Sequence, residues 1–154
     1  MPNTHSETDI WGLPDPVSQA AFYDSVPTKR LVAFIFDMIA IVILSALIVP
    51  LTAFTGIFFF PFLVTVMSFA YRVVTLANGS ATLGMRLMGI EFRTAQGERF
   101  DLKYALIHTT LFTIWGIFFF AQVVSIVLML TTARKQGLSD MLLGTAAINK
   151  PSFY

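Results

Sequence analysis

The 154-residue chain has no cysteine, only two histidines, and 12% charged residues against 56% hydrophobic ones. The missing thiol excludes disulfide frameworks, thiolate zinc sites, iron–sulfur clusters and cysteine nucleophiles together. The scarcity of charge excludes more. A soluble domain carries about 25% charged residues, so this chain has too few to wet a globular surface. A formal net charge of +1 gives no electrostatic footprint for nucleic acid. The sequence holds no cluster of metal ligands, no nucleophile beside a base and no glycine-rich phosphate loop. Neither a cofactor nor an enzymatic activity is therefore expected.

What the chain has in abundance is long apolar runs. Residues 1–28 form a polar tail with Glu7, Asp9, Asp15 and Asp24 and neither Lys nor Arg. It lacks the basic start and early apolar core of a secretory signal, so an uncleaved cytoplasmic tail is expected. Pro14 and Pro16 exclude a long helix there. Trp11, Leu13, Phe22 and Tyr23 leave two readings open: a mobile tail, or an arm lying on headgroups or a partner.

Lys29 and Arg30 then open a first span, residues 31–49, interrupted only by Asp37 and Ser45. An uncharged turn over 50–56 leads to a second span, 58–76, near whose end Tyr71 and Arg72 read as snorkelling interface anchors. Each run approaches the roughly 20 residues that cross a bilayer core of about 30 Å. Residues 77–103 are polar, with a short strand expected over 88–94 and a turn at Gly97. A third apolar segment covers 104–132, and the closing part, 133–150, contains a second short strand at 144–149. The expected fold is an all-α integral membrane protein: a tail, 1–28, and a transmembrane domain, 29–150, with two transmembrane helices, a third apolar segment and a small cytoplasmic β element.

Lys and Arg are retained on the cytoplasmic side. Lys29 and Arg30 precede the first span, and Arg72, Arg86, Arg93, Arg99 and Lys103 follow or close the second. A cytoplasmic N-terminus and central segment in the cell's inner membrane follow. A third segment crossing once would carry Arg134, Lys135 and Lys150 outside; a helical hairpin would keep them inside. With Trp115 and Gly116 at its apex, each arm would have about 15 residues, or about 22 Å. That is short for a crossing but suited to a re-entrant hairpin buried against the other helices. Pairing of the two short strands independently favours the hairpin, because both must then lie on one side.

Asp37 is the most informative residue. A carboxylate facing lipid costs on the order of 2.5–3.5 kcal/mol, so Asp37 must face protein or water. Arg30, two helical turns earlier, shares its face but leans toward the N-terminus, which makes a direct pair less favourable than a shared polar patch. Asp37 is read either as a packing lock made by hydrogen bonds or as a proton or cation site.

The segments KRLVAFIFD, ATLGMRLMGIEFRTAQGERF and RKQGLSDMLLGTAAI resemble the RDD family of small membrane proteins, named for an arginine and two aspartates. The resemblance covers about residues 27–149 and rests on the Arg-to-Asp spacing, Thr82 with Gly84, the 89–92 pattern and the closing Asp140. It implies that Arg30, Asp37 and Asp140 are the naming residues, supported by Thr82, Gly84 and Arg86, and that the protein has a transport-related role. Two positions depart from the family's habit: Met85 stands where a lysine is usual and Ser139 where a histidine is common.

From the residues alone Asp140 reads as a solvated charge, unless strand pairing gathers Arg30, Arg86 and Asp140 beside Asp37. His108, a lone histidine among apolar residues, reads as a packed side chain. Two functions compete. One is transport of a small ion or solute, specifically cation–proton exchange at Asp37, which needs a homo-oligomer. The other is a non-catalytic module that binds or helps assemble another membrane protein. The lipid bilayer is the expected partner in both, and nucleic acid in neither.

Overall fold

The computed structural model describes residues 12–150. His5, Glu7, Asp9 and Trp11 lie outside the described residues. Helix α1 spans Val26–Ile48 and α2 spans Phe60–Gly79. Pro27 and Pro61 sit in their first turns, where a missing N–H costs no hydrogen bond, and Pro50 follows the C-cap Val49 of α1. At about 1.5 Å per residue α1 is about 35 Å long and α2 about 30 Å, each enough to cross the hydrocarbon core. The buried residues of α1 are Val26, Ala33, Asp37, Ile41 and Ser45, spaced to share one face. Leu31, Ile35, Ile39 and Ile43 remain exposed on the other side, where lipid tails meet them.

A polar layer follows. Helix α3, Leu83–Leu87, leads into β1, Ile90–Arg93. Helix α4, Leu102–Ile117, and α5, Phe119–Thr131, come next, then α6, Leu138–Leu143, and β2, Ala146–Asn149. The strands pair antiparallel, Ile90 opposite Asn149 and Arg93 opposite Ala146. Because β1 precedes α4 and β2 follows α6, this pairing returns the chain to the end of the molecule from which α4 departs.

Helices α4 and α5 are bent by 119° across Phe118, which has extended backbone (φ −100°, ψ 103°). At about 24 Å and 20 Å each arm is shorter than a bilayer core, and the bend turns α5 back on α4 as in a re-entrant loop or a broken span. The expected apex is corrected by two residues. The break falls at Phe118 and leaves Trp115 inside the last turn of α4, with its Nε1 buried.

The core lies at the sheet end of the bundle, where Val26, Leu76, Ile90, Phe92, Phe100 and Ala105 pack together. Ser80, left-handed at the end of α2 (φ 57°), knits this junction. Its hydroxyl donates to Phe92 O at 2.7 Å and accepts from Phe100 N at 2.7 Å. The described part of the tail is no free arm, either. Leu13 and Tyr23 are buried against Ala146 and Ile148, and Tyr23 donates to Pro14 O at 2.8 Å. Lys29 and Asn149 join the start of α1 to the end of β2 at 2.7 Å.

Candidate functional site

Asp37 is 3% exposed and fully engaged. Its Oδ1 accepts from Tyr71 Oη at 2.6 Å and from Gly84 N–H at 2.8 Å. Oδ2 accepts from Thr82 Oγ1 at 2.5 Å. The local fold explains the convergence. Thr82 is the N-cap of α3 and also accepts from Met85 N at 3.2 Å. Tyr71 Oη in turn accepts from Leu83 N at 3.2 Å, so three N–H groups at the start of α3 are met by side-chain oxygens or Asp37. Gly84 is there because α3 lies directly on α1: a Cβ would stand 2.2 Å from Ala33 O. Ala33 and Asp37 are one turn apart on the same face, so the same close approach brings the Gly84 N–H to the carboxylate.

Asp140 is completely buried. Its Oδ2 accepts from Arg30 Nη1 at 2.6 Å and from Gly137 N–H at 3.1 Å. Oδ1 lies 2.8 Å from His108 Nε2 and accepts from Thr145 Oγ1 at 3.2 Å. Burial pushes the Asp140 carboxyl up, but the charge of Arg30 and the hydrogen bonds from His108 and Arg30 outweigh it. The group is held well below the ordinary carboxylate range. The reading of Asp140 as a solvated charge is thus corrected: α6 turns it inward because its partners come from α1 and α4, elements distant in sequence.

Arg72 is also buried. Its guanidinium lies 3.9 Å over the Phe112 ring, its Nε has no hydrogen-bond partner, and among the described residues it makes no ion pair. Helix α2 runs on to Gly79, so Tyr71 and Arg72 sit two turns inside it. Neither snorkels to the interface. Arg86 does not join Asp37; it donates to Ala81 O at 3.2 Å and Thr75 O at 3.3 Å.

Between α1, the α4–α5 hairpin and α6 lies a cavity of about 40 Å³, enough for a few water-sized occupants. Arg30, His108, Trp115, Ser125, Ser139 and Asp140 are among its lining residues. Among the described residues no three His, Asp or Glu side chains come together as a metal site.

The profile of the RDD family matches residues 25–144, most of the chain and all of this site. The chain belongs to the RDD family. No curated protein and no solved structure gives a match. The arginine and second aspartate that the family's name implies, Arg30 and Asp140, are directly ion-paired in this RDD protein, while Asp37 forms a separate cluster with Thr82 and Gly84. Sequence reasoning missed Tyr71, Arg72, His108 and Trp115 as site residues. A helical register extended past residue 76 would have placed Tyr71 and Arg72 inside the bundle. Nothing local to His108 signals a partner 32 residues away.

Proposed function

We propose that this RDD-family membrane protein moves a small ion or solute across the inner membrane, with its sheet end on the cytoplasmic side. The observation that carries the reading is the cavity beside the α4–α5 hairpin, bounded on one side by the Arg30–Asp140 pair and His108. A buried ion pair is often no more stable than apolar residues of similar volume, and buried ionisable groups beside a cavity at the mouth of a span mark pathways for polar species. The orientation rests on Lys29, Arg30, Arg93, Arg99 and Lys103, all at the sheet end. The turn opposite, 50–56, has no charge.

The narrower version, cation–proton exchange at Asp37, draws less support, because three donors occupy its carboxylate. Asp37 acts as the strut that fixes α3 on α1, and the cavity is the working site. The exposed apolar faces of α1 and α2 meet lipid or a second copy of the chain.

Vesicles containing only this protein should pass small ions, read with a pH dye and a halide dye in parallel. Oligomeric, inserted protein that passes neither cations nor anions refutes transport and favours the module that assembles with another membrane protein. For orientation, single cysteines at Gln96 and Lys150 should resist an impermeant thiol reagent in intact cells, and one at Thr55 should react. Labelling at Lys150 but not at Gln96 would overturn the hairpin.

A further inference from the structure

The cavity beside Asp140 has a chemistry of its own. Each Asp140 oxygen already accepts two hydrogen bonds, so that carboxylate offers a cation nothing. The groups left unmatched are donors. Trp115 Nε1 is buried without a partner, and indole N–H can only donate. Ser125 Oγ accepts from Leu138 N at 3.0 Å and keeps its own proton free. Arg30 uses Nη1 on Asp140 and has further N–H groups at the same wall. Behind Phe112, which also lines the cavity, stands Arg72 with no ion pair among the described residues.

The charge count decides what such a pocket takes. Arg30 and Asp140 cancel, Arg72 is balanced only at longer range by Asp37, and the cluster is neutral while His108 is neutral. An anion alone would leave this buried cluster one negative charge in excess, a costly state. His108 provides the remedy. Its Nε2 faces the Asp140 carboxylate, so that nitrogen carries the proton, and its buried Nδ1 has no partner and is free to take a second. The charged groups acting on His108 are Asp140 from α6, Arg72 from α2 and Arg30 from α1. The sides toward β1 and the 94–101 segment are closed by the Phe92 and Phe100 rings.

We propose that this cavity binds a small monovalent anion, of the size of a halide or formate, together with one proton on His108. Anion and proton enter as a neutral equivalent; the proton comes from solvent to Nδ1 and no covalent bond to the anion forms. The inference deepens the transport reading by naming the ion class, and binding is measured apart from flux so that the two can fail separately.

The test uses the full chain in mild detergent, with chloride as the probe and gluconate, too large for the cavity, as the control. Chlorine-35 line broadening should saturate with protein and, because each chloride brings one proton to His108, should weaken by about tenfold for each unit rise in pH wherever the anion-free His108 is neutral. A pH dye in weak buffer should register one proton taken up per chloride bound. Trp115→Phe keeps the ring and loses the N–H, and should weaken chloride by about tenfold, the worth of a hydrogen bond to a charged group. His108→Gln keeps a donor to Asp140 and should abolish proton uptake. Broadening that is absent, independent of pH, or unchanged in Trp115→Phe overturns the proposal, and the cavity then holds only water. Saturable, proton-linked binding without flux in vesicles upholds the site and refutes transport. Cation flux without chloride binding does the reverse.

Discussion

Replacing Asp140 by Ala removes the acceptor for four donors at once. His108 and Gly137 are buried with it and find no other acceptor, while Arg30 is left partly buried without its counter-charge. Breaking one side of a buried pair costs about 3–5 kcal/mol. Against a total stability of about 5–15 kcal/mol, that is at least about a fifth of what holds the fold. Unfolding of the purified protein in mixed micelles with rising SDS, followed by far-UV circular dichroism, should shift by this amount. Asp101→Ala is the control: Asp101 caps α4 by accepting from Tyr104 N at 2.8 Å on the surface, and its loss should cost about 1 kcal/mol. A second check is coupling. Removing Arg30 and Asp140 together, as Arg30→Met with Asp140→Leu, should cost less than the two single changes added, because neither charge is left alone. An Asp140→Ala loss no larger than that of Asp101→Ala, or additive behaviour of the pair, would refute the view that Asp140 ties α1, α4 and α6 together.

Acid should act through the same residue. Folded Asp140 titrates below the ordinary carboxylate value, so as pH falls the unfolded chain binds the proton first. Its stabilisation is complete above about pH 4 and fades as pH drops through the folded value. Asp140→Ala should flatten the acid limb of the stability profile. Gly84→Ala places a methyl 2.2 Å from Ala33 O and should cost about 1–3 kcal/mol by pushing α3 off α1; a neutral result in the same unfolding assay would contradict the close approach. Asp37→Asn can still accept from Tyr71 and Gly84 on its oxygen and donate to Thr82, so it should lose no more than about 2 kcal/mol. Asp37→Ala strands all three donors and should lose about 3 kcal/mol or more. If Asn proves as damaging as Ala, the negative charge of Asp37, and not its hydrogen bonds, is what the site requires.

Much of the architecture was legible because the membrane imposes simple rules. Apolar run lengths marked α1 and α2, and the position of Asp37 in α1 required a protein face. The two short strands were legible in their residue patterns, and the fold pairs them antiparallel. What stayed hidden depended on partners far along the chain. Asp140 looks soluble beside Arg134 and Lys135, and only folding carries it to Arg30, 110 residues earlier. Arg72 looks like an interface anchor because hydropathy ends the span at residue 76, whereas the helix continues to Gly79 and keeps the guanidinium two turns inside. His108 carries no local signal at all, since its neighbours Ile107 and Thr109 would suit any packed helix. The pair of Thr82 with Gly84 stood out in the family pattern, but the physical reason for it, the contact of α3 with Ala33, needed the three-dimensional crossing.

The sequence separation of the two aspartate clusters sets an order of events during synthesis. Asp37 finds Thr82 and Gly84 within 45 and 47 residues, so the first lock can close while the α4–α5 hairpin is still unmade. Arg30 must wait for a residue 110 positions later, which at about 5–20 residues per second means about 5–20 s with an unanswered cation at the mouth of the first span. During that interval α1 and α2 are held in the bilayer without the sheet that covers their ends. Chains interrupted before Asp140 would therefore stay in this half-built state, with Arg30 lacking its carboxylate.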